Sequence, residues 1–236
     1  MNQCTASCAD IGECIFGCEI GGINNASTCV TSCTGLGTPC LNSCLMVVNQ
    51  ISSCTYVSMS YAVNLGGGDS FINITNNGAL STVTTQSGTT AAVPGAVCAN
   101  VYAFDPGEEL LSCCSCPVTP DGLVSLSAQK DLLANALYNV TPSSISITLV
   151  ATAPVTNSCV NAASTVGTAS LVGGLSAWST TLHSNTSAST LSATEVPFQQ
   201  ATISQAELAR LAQVCAFAQQ QGSNFGICNS CPGSGQ

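Results

Sequence analysis

The sequence predicts an α+β protein: a disulfide-stapled module of short helices, then a β-sandwich-like domain with a C-terminal helix packed on it. Three observations carry this. Cysteine pairs spaced by four recur through the first 54 residues. Runs of alternating apolar and polar residues, separated by glycine and asparagine turns, fill the middle of the chain. A capped apolar stripe at helical spacing lies near the end. The predicted division is therefore 1–54, a cysteine-rich helical module, and 55–236, a β-rich domain with its helix at 204–221.

The N-terminal module rests on one repeated spacing. Cys4 and Cys8, Cys14 and Cys18, Cys29 and Cys33, and Cys40 and Cys44 are each four apart, and Cys54 closes the segment. That separation puts both sulfurs of a pair on one helix face, one turn apart. Gly21-Gly22 and Gly35, Gly37 and Pro39 fit as breaks between short helices. Isolated helices of that length hardly form in water, so disulfides at roughly 2–4 kcal/mol each would supply the stability. The spacing does not give the connectivity.

From Thr55 the pattern turns to β. Tyr56–Val63 reads as a half-buried strand, and Ser70–Thr75 sets Ile72 and Ile74 against Phe71, Asn73 and Thr75. Gly66-Gly67-Gly68 and Asn76-Asn77-Gly78 are the turns. Val97–Phe104, Leu123–Ala128, Ser144–Ala151 and Ala169–Leu182 are further strands, at a spacing that suits a sandwich. Ser204 followed by Glu207 forms a capping box. Leu208, Leu211, Val214, Cys215 and Ala218 make a stripe expected to dock on the sheet, and Gly222 ends the helix.

Composition narrows the function. Charged residues are 6% of the 236, and the only basic side chains are Lys130 and Arg210; an ordinary soluble domain carries roughly a quarter charged residues. Without basic surface the chain has nothing to displace counterions from phosphates, so nucleic-acid binding is excluded, and attraction to anionic lipid with it. The net charge of −9 comes from eleven scattered carboxylates, so charge repulsion does not force disorder. No apolar run has the length of a membrane span, which argues against membrane insertion. Seventeen cysteines beside one histidine, His183, point to an oxidising, extracellular or cell-surface location. Met1–Cys8 lacks the basic start and apolar run of an export signal, so the expectation is that the signal has been removed.

The segments Val101-Tyr102-Ala103-Phe104-Asp105 and Glu108-Glu109-Leu110-Leu111-Ser112-Cys113-Cys114-Ser115-Cys116-Pro117-Val118-Thr119-Pro120, running on into Gly122-Leu123-Val124-Ser125-Leu126-Ser127, form one distinctive block. Trp178–His183, Glu195-Val196-Pro197-Phe198 and the ending Gly222–Cys231 add to it. Together they resemble a family of secreted, cysteine-containing proteins of acidobacteria and related soil bacteria. The resemblance covers about residues 65–236 and leaves the first 54 outside. It implies export and an envelope or extracellular location, and it implies no activity, substrate or catalytic residue.

Residues able to do chemistry are few. Cys113 to Cys116 and Cys228 to Cys231 have zinc-type spacing and could be imagined as a four-thiolate site, but neighbouring thiols in an exported protein oxidise. Structural disulfides are therefore expected for these, for Cys98, Cys114, Cys159 and Cys215, and for the N-terminal nine. A redox pair at Cys228 and Cys231 lacks the βαβ setting that would activate it. Glu108 and Glu109 are read as the charged first turn of a short helix after Pro106, and calcium around Asp105, Glu108 and Glu109 has no loop pattern behind it. His183 has no nucleophile partner at a recognisable spacing, and Gly174–Trp178 fails the nucleophile-elbow pattern at its last position. No metal, cofactor or catalytic residue is assigned, and no enzyme activity is expected. Asn25, Asn73, Asn139 and Asn185 stand in glycosylation sequons, which leaves covalent glycans open.

Two functions from different classes remain. The first is a structural subunit of an extracellular filament, sheath or coat, with copies of itself as partners. Low charge, heavy cross-linking and an odd cysteine count favour it. The second is a secreted adhesin or carbohydrate-binding module with Trp178 and tyrosines as sugar platforms; aromatics at only 5% weaken it.

Overall fold

The computed structural model describes residues 56–86, 89–93, 95–138, 142–185, 190–229 and 231. The helical module expected over 1–54, with its nine cysteines, lies outside the described residues. So do the sequons at Asn25 and Asn139. The elements, in chain order, are β1 (Val57–Ala62), β2 (Ser70–Asn76), β3 (Thr82–Gln86), β4 (Thr89–Val93), β5 (Val97–Phe104), β6 (Leu110–Val118), β7 (Leu123–Ser127), β8 (Ile145–Thr152), β9 (Leu175–Asn185), β10 (Thr190–Pro197), β11 (Gln199–Gln200) and α1 (Gln205–Gln220).

Two antiparallel sheets, ordered β11-β1-β8-β5-β6 and β10-β9-β2-β7, carry the domain, and β3 and β4 form a separate hairpin. Ala99, Val101 and Ala103 of β5 and Ile145, Ile147 and Leu149 of β8 meet Ile72, Ile74, Val124 and Leu126 of the second sheet in one core. This is a sandwich packing of alternating strand faces. Ile72 and Ile74 are fully buried while Phe71, Asn73 and Thr75 are half-buried, as the alternation requires.

The opposite face of the five-stranded sheet is also covered. Leu208, Leu211, Cys215 and Ala218 of α1 pack there with Tyr102, Phe104, Leu110, Val150, Ala163 and Leu171. A strand covered on both faces reads as a nearly continuous apolar run, and β5, interrupted only by Asn100, is buried along its whole length. The polar side chains of this layer are bonded. Asn100 Nδ2 donates to the Val150 carbonyl at 2.8 Å and to Thr152 Oγ1 at 2.9 Å, while its Oδ1 accepts from Ser115 Oγ at 2.7 Å. Ser115 Oγ also accepts from the Ala163 N–H, and Tyr102 donates its phenol to the Ala163 carbonyl at 2.7 Å. Among the described residues one buried side-chain oxygen has no hydrogen-bond partner, Ser112 Oγ. It lies beside the register shift at Ala103/Phe104 where β6 bulges.

Helix α1 is capped as its sequence predicts, with a difference. Ser204 Oγ accepts from the Glu207 N–H. The Glu207 carboxylate, however, turns to Arg210, which it meets through two nitrogens at 2.7 and 2.8 Å. That hydrogen-bonded guanidinium holds the carboxyl below its usual range. Arg210 also lies over the Phe104 ring at 5.1 Å. Gly222 follows the helix at φ +69°, the left-handed conformation that favours glycine.

The expected short helix after Pro106 is not formed. Residues 105–109 are the turn of the β5–β6 hairpin: Asp105 Oδ1 accepts from the N–H groups of Gly107 and Glu109, and the Asp105 N–H donates to the Glu109 carbonyl. An Asx turn satisfies the backbone here, and Glu108 takes a left-handed φ of +68° that a helical first turn does not allow.

Candidate functional site

The described cysteines form four disulfides, Cys98–Cys159, Cys113–Cys215, Cys114–Cys228 and Cys116–Cys231. Their pattern follows from strand geometry. Successive residues of β6 point to opposite faces, so neighbouring cysteines reach different partners. Cys113 faces the helix layer and binds Cys215 of α1. Cys114 and Cys116 face the core between the sheets and bind the C-terminal segment at Cys228 and Cys231. Cys98–Cys159 ties β5 to the loop after β8. Cys228 and Cys231 are thus not partners of each other, which removes the redox-pair arrangement. The sulfurs of Cys114, Cys116 and Cys231 lie within 4.8 Å of one another, but this is not the set that zinc-type spacing suggests, because Cys113 faces the helix layer and is bonded to Cys215. Each is in a disulfide, and a disulfide sulfur offers no thiolate to a metal.

One cleft of about 390 Å³ lies where α1 meets β6 and is lined by Cys113, Ser115, Cys159 and Asn161. No acid, base or free thiol lines it. A second, about 320 Å³, brings Glu108, Glu109, Tyr138, Arg210 and Phe217 together. Arg210 is occupied by Glu207, and the Asp105 carboxylate is spent within its own turn. Asp105, Glu108 and Glu109 therefore share a hairpin turn, not a ring of oxygens around one point.

The outer face of the four-stranded sheet is more organised. Ser125, Asn73, Trp178 and Pro197 lie in one cross-strand row, and Ser127, Phe71, Thr180 and Glu195 in the next. A polar chain links them: Ser125 Oγ donates to Asn73 Oδ1 at 2.7 Å, Asn73 Nδ2 to Thr180 Oγ1 at 3.0 Å, and Thr180 Oγ1 to Glu195 Oε1 at 3.2 Å. Trp178 is half-buried beside this chain. His183 Nε2 is 3.0 Å from Thr194 Oγ1 on the same hairpin. The Asn73 sequon lies within β2, paired on both sides, and Asn185 ends β9.

Among the described residues no strand pairs with the outer edges of this sheet. Every residue of β10 is exposed, and among the described residues the margin of that strand away from β9 has no partner strand. Leu191 is 70% exposed, and Leu123 of β7, on the opposite edge, is 65%. Exposed edges are ordinarily blunted by lysine, proline or bulges; here β7 and β10 contain a single charge, Glu195, and a proline only at position 197. The edge of β6 is handled differently: Cys113 bonds through its N–H to Gly226, and Leu137 donates to the Leu111 carbonyl. Sequence reasoning missed β10, since a strand exposed on both faces has no alternation to read.

No family model, curated protein or solved structure matches the chain. Four disulfides suit an oxidising compartment, and no described helix is long and apolar enough to cross a membrane.

Proposed function

We propose that the chain is a structural subunit of an extracellular filament, sheath or surface coat, self-assembling and disulfide-stabilised. The observation that carries this is the pair of open, nearly uncharged strand edges on a domain otherwise tightly stapled. Unpaired N–H and C=O groups along an edge are a template for another chain, and a monomer left with them is exposed to uncontrolled association. In a polymer the same edges are the joints.

Cysteine arithmetic supports the reading. The eight described cysteines are bonded to one another, and nine remain in residues 1–54. Nine cannot pair off among themselves. The odd thiol of this sequence, and any bond to a second copy, therefore belongs to the first 54 residues. In this proposal they form a cross-linked helical module that strengthens the joint. The proposal assigns no catalytic role, no cofactor, and no nucleic-acid or membrane partner. The test is the native material itself, imaged by electron microscopy and run on a non-reducing gel: long polymers support the reading, and monomers by both methods overturn it.

A second reading has its own support. The Ser125–Asn73–Thr180–Glu195 chain beside Trp178 offers donors, acceptors and one aromatic surface, the elements of a carbohydrate platform. A secreted glycan-binding module is the alternative. Trp178→Ala then abolishes binding to immobilised polysaccharide and leaves particle size unchanged.

A further inference from the structure

The backbone of the four-stranded sheet says which groups its edges present. In antiparallel pairs alternate residues exchange both hydrogen bonds, and those between them point the other way. Two bonds fix the phase: Phe198 N–H donates to the Ala177 carbonyl at 2.9 Å, and Leu182 N–H to the Asp69 carbonyl at 3.0 Å. Odd-numbered residues of β9 therefore bond towards β10 and even-numbered ones towards β2. With the observed registers, Leu191, Ala193 and Glu195 direct their N–H and C=O groups away from β9, to the open side. The same alternation carried through β2 leaves Leu123 and Ser125 directing theirs away on the β7 side. Pro197 has the outward phase too, where its missing N–H breaks no bond within the sheet.

The topology then supplies the partner. Each of β10, β9, β2 and β7 is antiparallel to the next. Four is even, so the two edge strands run in opposite directions. A second copy set beside β10 in the same orientation, shifted along the sheet without being turned over, presents its β7 antiparallel to β10. The outward residues of both edges carry their side chains on one face, that of Trp178 and Thr180. Joining the edges brings exposed Leu123 of one copy alongside Leu191 and Ala193 of the next, with Glu195 the only charge in either strand. We propose that β10 of each subunit pairs antiparallel with β7 of the next, continuing the four-stranded sheet from copy to copy. Such a head-to-tail contact uses two different surfaces and propagates as a filament unless its rotation closes a ring, in contrast to a two-fold pairing of β10 with β10, which stops at a dimer. This inference rests on the filament reading and specifies its joint.

The test uses two variants of the full chain. Ala193→Pro and Ser125→Pro each remove one outward N–H and leave every backbone bond to β9 or β2 in place; Ser125→Pro also removes the Ser125 hydroxyl that donates to Asn73. Each variant alone is expected to stay monomeric where the unaltered chain polymerises. Mixed in equal amounts, they should form dimers and nothing longer, since one intact β10 and one intact β7 remain. Polymers from either variant alone overturn the joint while leaving the filament reading standing. Dimers of Ser125→Pro alone point to the two-fold pairing and also overturn it. An unaltered chain that never polymerises removes both readings together. If either proline variant fails to fold, as judged by circular dichroism, Ala193→Lys and Ser125→Lys place a charge on the same edges with the backbone intact, and the same outcomes decide.

Discussion

Adjacent cysteines 113 and 114 have opposite fates because a strand turns successive side chains to opposite faces. One rivets the helix from outside, the other the C-terminal segment from within. Tyr102, on the neighbouring strand, shows the same logic with a polar tip. Its ring fills the layer under α1 and its hydroxyl reaches the Ala163 carbonyl. Burial holds the phenol well above its ordinary value, because an ionised phenolate there would be desolvated. A raised folded-state value means that stability is unaffected while tyrosine is neutral in both states. It falls as pH rises past about 10, where the unfolded chain ionises and the folded one does not. Absorbance at phenolate wavelengths should show Tyr102 un-ionised above that pH until the chain unfolds. Tyr102→Phe should remove this alkaline component and cost about 1–2 kcal/mol at neutral pH, the price of a carbonyl left without its donor. Alkaline melting unchanged by the substitution would contradict this.

Elements were legible where burial imposed a pattern. β2 sets Ile72 and Ile74 on the core side, β5 is an apolar run broken only by Asn100, and α1 has a stripe and a serine cap; all three fall within a residue or two of where the sequence puts them. Ala169–Leu182 overreached at its start, because Leu171 and Val172 are spent in a loop that bridges to β8. β6 was obscured by its cysteines and by Pro106, which together suggested a helical start and not a hairpin. β3, β4 and β10 are serine- and threonine-rich and gave no period of two. The site followed the same rule: the stapling cysteines were visible, and so was the scarcity of charges able to blunt an exposed strand edge, but which strands form the edges emerged only from the sheet order. One close approach ties these elements together. Gly226 donates no Cβ where φ is +77° and an added one would lie 2.9 Å from Ala218 Cβ and 3.2 Å from Leu137 Cβ. Gly226→Ala is expected to cost about 2 kcal/mol or more, from backbone strain and overpacking combined. Chemical denaturation without reductant measures it, and an unchanged midpoint would refute the packing described.

At the scale of the whole molecule the domain combines a closed interior with open margins. Helix and C-terminal segment are locked to β6 by three disulfides, whereas among the described residues β7 and β10 end the second sheet with outer edges that no strand pairs. Stapling resists unfolding and proteolysis, and open edges favour association. A durable assembly needs both properties. Since the eight cysteines from Cys98 onward are mutually bonded, alkylation of the denatured, unreduced chain followed by peptide mapping should place every free thiol among Cys4, Cys8, Cys14, Cys18, Cys29, Cys33, Cys40, Cys44 and Cys54. Label at Cys98 or beyond would break the disulfide assignment. The central claim, that the chain is a self-assembling extracellular subunit, is tested most directly by electron microscopy of the native material over a range of protein concentrations. The account predicts long unbranched polymers whose subunits repeat along one axis; discrete monomeric particles at every concentration would contradict it.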